Sequence, residues 1–468
     1  MSSGSSFVIA CVGKPSAGKS SFLNAVTEAN AKVGNFPFTT IEPNQGIAYY
    51  PIDCACKRFN KSSQCKPRYG SCKDGKRLIP VRMLDVAGLV PGASEGRGLG
   101  NQFLDDLRHA DALIHVVDAS GGTDENGKET KNYDPINDIE WLRFEIHSWV
   151  YNNLLKKWPG IVRRQVATKT SPITVFQENM SGYGANREII IRCIERMNKA
   201  AIELDKEGQD SEMAIPGIIQ KGGSSNKTNT STSLSSSNTV LTNWTKKHLH
   251  KFVSIFLDER FPTVVALNKI DRSEADKNII KILRKYSGSS KTDPLDGIRQ
   301  ENIVVTSALS ECFLKKLKDQ GYIKYTAGDE DFESHEEDPT LKKADGRTFD
   351  RLEEIRDLVL FRYGSTGVQD VIVRAVRALR MIPVFPVKNV TNFTNKSSSG
   401  DGSGAAFVDC VLVREGTTVR QVAGMVNSIL DKQYAGAETV GGLQLGENDV
   451  IVPKKNDVLS FKLNNSSR

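Results

Sequence analysis

The chain has 468 residues and a mass of 51.5 kDa, enough for about three domains at roughly 150 residues each. Its 38% hydrophobic and 25% charged content suits a soluble globular fold with polar insertions, and its 63 basic against 56 acidic side chains give only +7, too mild to imply nucleic-acid binding although compatible with it. No apolar run reaches the ~18 residues of a membrane helix, and eight cysteines in such a chain read as thiols or metal ligands, so a secreted, membrane-spanning or fibrous protein is not expected.

From the N-terminus, the apolar stretch Phe7–Val12 follows no basic segment and runs into a glycine loop, so it reads as a strand and not as a signal peptide. Lys19–Thr27 opens a helix. Ile47–Pro51 and Val81–Leu84 read as strands, Leu99–His109 as a helix and Ala112–Ala119 as a buried strand. Short strands alternating with helices predict an α/β domain with a mostly parallel sheet. Residues 121–135 are polar and loop-like. Trp141–Lys157 and Asn186–Glu207 have helical spacing, with Leu142, Ile146 and Val150 along one face. Lys221–Thr239 is almost all Ser, Thr, Asn, Lys and Gly and is expected to be disordered.

A helix is predicted at Trp244–Leu257. The sheet resumes at Pro262–Leu267 and Asn302–Ser307, an acidic loop occupies 327–340, and Phe349–Val359 and Val368–Arg380 read as helices. From Pro383 a new unit begins: strands at Val384–Val387 and Val408–Val413, a helix at Thr418–Ile429, and strands near Val450 and at Leu459–Leu463. That ββαββ order is the pattern of a β-grasp module, with Ser397–Gly404 as its hairpin tip. The expected organisation is an α/β domain in two parts, 1–120 and 261–382 with its linker helices, split by a helical insertion at 121–260 and followed by a β-grasp domain at 383–468.

Gly13-Lys14-Pro15-Ser16-Ala17-Gly18-Lys19-Ser20 fits G-x-x-x-x-G-K-[ST] between a strand and a helix, the context that this phosphate-binding loop requires. Its backbone amides, continuing to Ser21 at the helix start, would point at phosphates, helped by the helix dipole. Lys19 would reach the β- and γ-phosphates and Ser20 would bind Mg²⁺. Asp85-Val86-Ala87-Gly88 ends a strand, so Asp85 can hold the metal through water and the Gly88 N–H can sense the γ-phosphate. In Phe38-Thr39-Thr40-Ile41, a hydroxyl can complete the Mg²⁺ shell; Thr40 is favoured and Thr39 is the alternative. Lys19, Thr40 and Gly88 are therefore the expected catalytic set.

The base is read by Asn268-Lys269-Ile270-Asp271, which follows a strand. A carboxylate at Asp271 accepts from guanine N1–H and N2–H₂, whereas adenine offers neither donor there. Asn268 braces the loop, the Lys269 stem covers the base, and Thr306-Ser307-Ala308 supplies backbone N–H, from Ser307 and Ala308, to guanine O6. Four motifs in order, each after its own strand, predict GTP and GDP as ligands over ATP.

The run Asn35-Phe36-Pro37-Phe38-Thr39-Thr40-Ile41-Glu42-Pro43-Asn44 and the string Asp85-Val86-Ala87-Gly88-Leu89-Val90-Pro91-Gly92-Ala93 resemble the Obg family of GTPases, most of all its archaeal and eukaryotic YchF-like branch. The resemblance spans nearly the whole chain and implies a P-loop G domain, a helical insertion and a C-terminal TGS-type domain, the last resting on Val408–Val413, Glu415-Gly416-Thr417-Thr418 and Asn448–Leu463. It implies a cytoplasmic, ribosome- or RNA-associated molecular switch with an unidentified activating partner and no membrane contact. Bacterial-type YchF proteins lack the guanine-selecting lysine and aspartate and favour ATP; both residues are present here. Leu89 stands where Ras-like enzymes carry a water-orienting glutamine, which implies slow hydrolysis. The alternatives are a nucleotide-gated RNA- or ribosome-binding scaffold whose hydrolysis is incidental, and an ATPase like the bacterial-type relatives.

Two clusters fall outside these motifs. Cys54, Cys56, Cys65 and Cys72 lie between two strands, and four thiols in a reducing compartment fit a tetrahedral Zn²⁺ site. Their spacing is not a familiar knuckle, and four free thiols in a long loop is the alternative. Between Glu145 and Glu178 stand Lys156, Lys157, Arg163, Arg164 and Lys169, with no acid and with Trp149, Tyr151 and Trp158 interleaved. That stretch reads either as an RNA grip by phosphate contact and stacking or as a solvated helix with its aromatics turned inward. Arg374, Arg377 and Arg380, three apart, read equally as a backbone-contacting strip or as a charged outer face.

Overall fold

The computed structural model describes residues 7–27, 45–89, 91–92, 103, 106–204, 241–287, 298–394 and 404–464. The N-terminal strand β1 (Val8–Val12) sits in a seven-stranded sheet with β2 (Gln45–Asp53), β3 (Ser71–Lys73), β4 (Lys76–Asp85), β5 (Ala112–Asp118), β6 (Thr263–Asn268) and β7 (Ile303–Val305), in the order β2-β4-β1-β5-β6-β7 with β3 on β4. Pairing is parallel from β4 through β7 and antiparallel at the β2–β4 edge, where nine residue pairs run from Gln45↔Leu84 to Asp53↔Lys76. All seven residues of β5 are buried, as a parallel strand covered on both faces must be.

Alternation divides the cover. Ile9 and Cys11 face α1 (Lys19–Val26) and the helix Val368–Ala378, while Ala10 and Val12 face the helices that lie between β5 and β6. These are α2 (Ile136–Thr168), α3 (Pro172–Met180), α4 (Arg187–Leu204) and α5 (Lys246–Arg260). Their core is aromatic: Trp158 packs with Phe176 and Trp244, and Phe176 stacks on Phe252 at 4.1 Å. Helices α6 (Ala275–Ser287) and α7 (Ala308–Asp319) follow β6 and β7, and α8 (Val368–Ala378) leads to the second sheet.

That sheet has five strands: β8 (Met381–Pro386), β9 (Val411–Arg414), β10 (Tyr434–Glu438), β11 (Gln444–Leu445) and β12 (Val458–Leu463), in the order β11-β10-β12-β8-β9. The parallel pair β8–β12 is central, and α9 (Val419–Val426), held by a Thr418–Gln421 capping box, buries Val419 and Val422 against it. This is the β-grasp arrangement. The strand expected near Val450 is a single bridge, Thr418↔Val450, because a turn follows at once; the strand expected at Leu459–Leu463 is β12, and β10 and β11 are additional strands. The helix expected at Phe349–Val359 begins at Gly346 and continues as a π-helical turn, Arg356–Leu360. The polar stretch 221–239, the loop tip 397–403 and most of the helix expected at Leu99–His109 lie outside the described residues. No helix among the described residues is long and apolar enough to cross a membrane.

Candidate functional site

The loop between β1 and α1 has the backbone that its glycines permit. Gly13 has φ 144° and a Cβ there would meet Val116 O at 2.4 Å; Gly18, φ 99°, caps α1, and a Cβ there would meet Asn268 Nδ2 at 2.3 Å. Lys19 is buried at the start of α1 and its Nζ donates to Lys14 O at 2.9 Å. Burial lowers its pKa, opposed by the charge of Asp85. Ser20 Oγ donates to Asp85 Oδ2 at 2.6 Å, and Asp85 Oδ1 is buried with no hydrogen-bond partner. These converging oxygens are the hard donors Mg²⁺ takes. Gly88 lies so near the loop that a Cβ would come 3.0 Å from Pro15, and Leu89 N–H donates to Gly13 O at 3.2 Å, with the Leu89 side chain buried. Ser16 and Ser21 are exposed and Ala17 is buried. Thr40 and Thr39 lie outside the described residues.

The Asn268-Lys269-Ile270-Asp271 motif is locked onto this loop. Asn268 Nδ2 donates to Ala17 O, and its Oδ1 accepts from Ala308 N–H, both at 3.0 Å. Lys269, at φ 68°, extends Nζ to Asp118 Oδ2 at 2.8 Å, which fixes its stem. Asp118 is fully buried; burial would raise its pKa, but bonds from Lys269, Ser120 and Thr123 bring it down, so it stays charged. Ser307 Oγ donates to Asp271 Oδ1 at 2.7 Å.

The Ser307 N–H, expected to reach guanine O6, donates here to Thr366 O, and it is the Ser307 hydroxyl that meets the Asp271 carboxylate. The Ala308 amide is likewise engaged, with Asn268.

The side chain of Lys14, to which the sequence assigns no role, is turned into the fold. It is 1% exposed and pairs with Asp138 Oδ2 at 2.8 Å, donates to Thr123 O at 2.7 Å and lies 4.1 Å from the Tyr133 ring centroid. The segment read as a plain loop at 121–135 folds over the cradle, and a Cβ at Gly127 would meet Pro15 O at 2.6 Å. Sequence reasoning missed Asp118, Thr123 and Asp138; an aspartate closing a fully buried, mostly apolar strand was the available signal for Asp118. Replacing Asp138 with leucine should strand the buried Lys14 ammonium and cost on the order of 3–5 kcal/mol. A lower unfolding temperature checks this, and the Lys14→Met/Asp138→Leu pair should recover much of it. His115, beneath Gly13, is buried without a partner for Nε2; burial, then the Lys19 and Lys14 charges, hold its pKa at about 3, so the imidazole stays neutral.

Two features reach beyond the cradle. Gly92 N–H donates to Glu145 Oε1 of α2 at 2.6 Å, tying the segment after Asp85-Val86-Ala87-Gly88 to the helical layer. On α2 itself, Trp158 is 0% exposed, Tyr151 is buried, and Trp149 packs edge-on against Tyr183. The aromatics therefore belong to the core and do not form a stacking platform, whereas Lys156, Lys157, Arg163 and Lys169 are exposed. Arg374 is engaged by Asp370 and the carbonyls of Glu301 and Ile303, and Arg377 bonds Tyr50. Arg374 is half-buried and tied to its neighbours, whereas Arg377 stays exposed.

The comparisons with known proteins agree with this geometry. Residues 8–143 match the family of 50S ribosome-binding GTPases, and residues 266–389 match the Obg-like GTPase YGR210-like, G4 motif-containing domain. An uncharacterized GTP-binding protein of Schizosaccharomyces pombe is 45% identical over 98% of both chains, and one of Methanocaldococcus jannaschii is 35% identical over 95% of this chain and 98% of its own. The ribosome-binding ATPase YchF of Bacillus subtilis is 41% identical over 29% of this chain and 34% of its own. A GTP-binding protein from Pyrococcus horikoshii has a crystal structure that covers 98% of this chain and all of its own, at a TM-score of 0.65 and 28% identity.

Proposed function

We infer, given that this chain belongs to the YchF-like branch of the Obg-like GTPases, that it binds GTP with Mg²⁺ and hydrolyses it slowly to GDP, serving in the cytoplasm as a ribosome- or RNA-associated switch. The observation that carries the guanine reading is the bracing of Asn268 between Ala17 O and Ala308 N, which makes the phosphate cradle and the Asp271 base pocket one hydrogen-bonded unit. Ser20 and Asp85 would hold Mg²⁺, with Thr40 as the expected third donor; bound there, the ion would neutralise charge on the β- and γ-phosphates. Lys19 would exchange its carbonyl partner for phosphate oxygens, and the Gly88 amide would meet the γ-phosphate. Leu89 offers an attacking water no hydrogen bond, and lacking an orienting group typically costs a few kcal/mol of transition-state stabilisation. Ribosome association rests on the family description and the YchF name, together with the exposed basic strip of α2.

Calorimetric competition between GTP and ATP, each with Mg²⁺, tests the reading, and GTP should bind the more tightly. Tighter ATP binding would favour the ATPase alternative. GTP turnover should rise when ribosomes are added, and equal rates with and without them would overturn the switch. Persistence of partner binding in a nucleotide-free variant would favour the scaffold reading.

A further inference from the structure

The four cysteines between β2 and β4 come from four separate local elements. Cys54 follows β2, Cys56 lies in the helical turn Ala55–Arg58, Cys65 follows the turn Ser62–Gln64, and Cys72 is the centre of β3. Their sulfurs nevertheless lie within 4.8 Å of one another, with Cys54···Cys65 at 3.8 Å and Cys56···Cys72 at 3.7 Å. Four sulfurs at Zn–S distances of ~2.3 Å on a tetrahedron stand about 3.8 Å apart. A disulfide would need about 2.05 Å, and thiol–thiol hydrogen bonds are too weak to gather four groups.

A second observation concerns charge. Arg77 is opposite Cys72 in the β3–β4 ladder and 2% exposed; its guanidinium donates to the carbonyls of Phe407 and Val408, with Nε unpartnered, and no carboxylate pairs with it among the described residues. A buried cation needs a counter-charge, and a divalent ion with four thiolates carries a net charge of −2.

We propose that Cys54, Cys56, Cys65 and Cys72 bind one zinc ion, and that this ion sets the surface on which the second sheet rests. The loop that they fold contacts that unit throughout. Lys66 and Arg68 N–H donate to Ala406 O and Val408 O, and Ala406 N–H donates to Gln64 O. Arg58 pairs with Asp457 at 2.8 Å, and Phe59 packs on Phe393 at 4.6 Å between centroids. This cluster has no part in the nucleotide chemistry, so the inference stands independently of it.

The test uses the full chain without a tag, expressed with zinc and purified in reducing buffer. Elemental analysis should find about one zinc per chain, released when a mercurial blocks the thiols. The Cys56→Ser/Cys72→Ser variant should lose the metal, and Cys193→Ala, a buried cysteine elsewhere, should keep it. Removing zinc from the wild type should speed hydrogen exchange at the Lys66, Arg68 and Ala406 amides at least about tenfold while sparing β1. Less than about a tenth of an equivalent of zinc in the wild type, freshly purified protein lacking four thiol hydrogens as two disulfides, or exchange unchanged on metal removal would each overturn the proposal.

Discussion

Asp271→Asn is expected to weaken GTP binding by roughly 10²–10⁴-fold, or about 3–5 kcal/mol, while leaving the fold intact. The Asp271 carboxylate is held by Ser307 Oγ at 2.7 Å on Oδ1, and an asparagine carbonyl can accept that same bond, so the loop keeps its anchor. What changes is the other edge. A carboxylate accepts from both guanine N1–H and N2–H₂, whereas an amide sets its own NH₂ against the N2 donor and leaves two donors facing each other. Xanthosine triphosphate, with an oxygen in place of the amino group, should recover most of the affinity. Calorimetry with the two nucleotides reads both halves of the expectation; unchanged GTP affinity in the variant would remove Asp271 from the base pocket.

Lys19→Ala is expected to lower Mg²⁺–GTP affinity by more than about 100-fold while leaving the ligand-free protein at least as heat-stable as the parent. Lys19 is 8% exposed, its pKa is lowered by burial, and the Lys14 carbonyl is its hydrogen-bond partner. An ammonium taken from water with so little compensation costs stability, the usual expense of a group held ready for a ligand. Differential scanning fluorimetry separates the two effects: the parent should melt later when GDP is added, and the variant should show no such shift. A variant that still responds to GDP would mean that the backbone amides alone carry the affinity.

The glycine loop between β1 and α1 was legible because its signals are local. A strand, a glycine-bounded octapeptide and a helix start are adjacent in the chain, and Asn268 closes the strand that Asp271 follows. The inward turn of Trp158 was one of two readings of its stretch; the helix runs on past the expected end at Lys157 to Thr168, and Leu154, Trp158, Ile161 and Val162 recur along its buried face. The Lys14–Asp138 pair was not legible, because one residue lies in the loop after β1 and the other in the first turn of α2, far apart in the chain, and neither carries a signal within its own segment. Strand β10, with the sequence Tyr-Ala-Gly-Ala-Glu, lacks both β-branched residues and alternation, and it is a strand because β12 pairs with it. Backbone amides at Ser307 could not be assigned from sequence, since their partner at Thr366 lies far along the chain.

The antiparallel ribbon of β2 and β4 has one further implication. Its nine pairs extend roughly 27 Å at about 3.4 Å per residue. A slip of one position would turn Ile47, Ala48 and Ile52 out of their seats, so the ribbon cannot yield piecemeal. Asp85 stands at one extremity and the cysteine loop begins at the other. One continuous register thus runs from the strand end that carries Asp85 to the strand end where the cysteine loop begins.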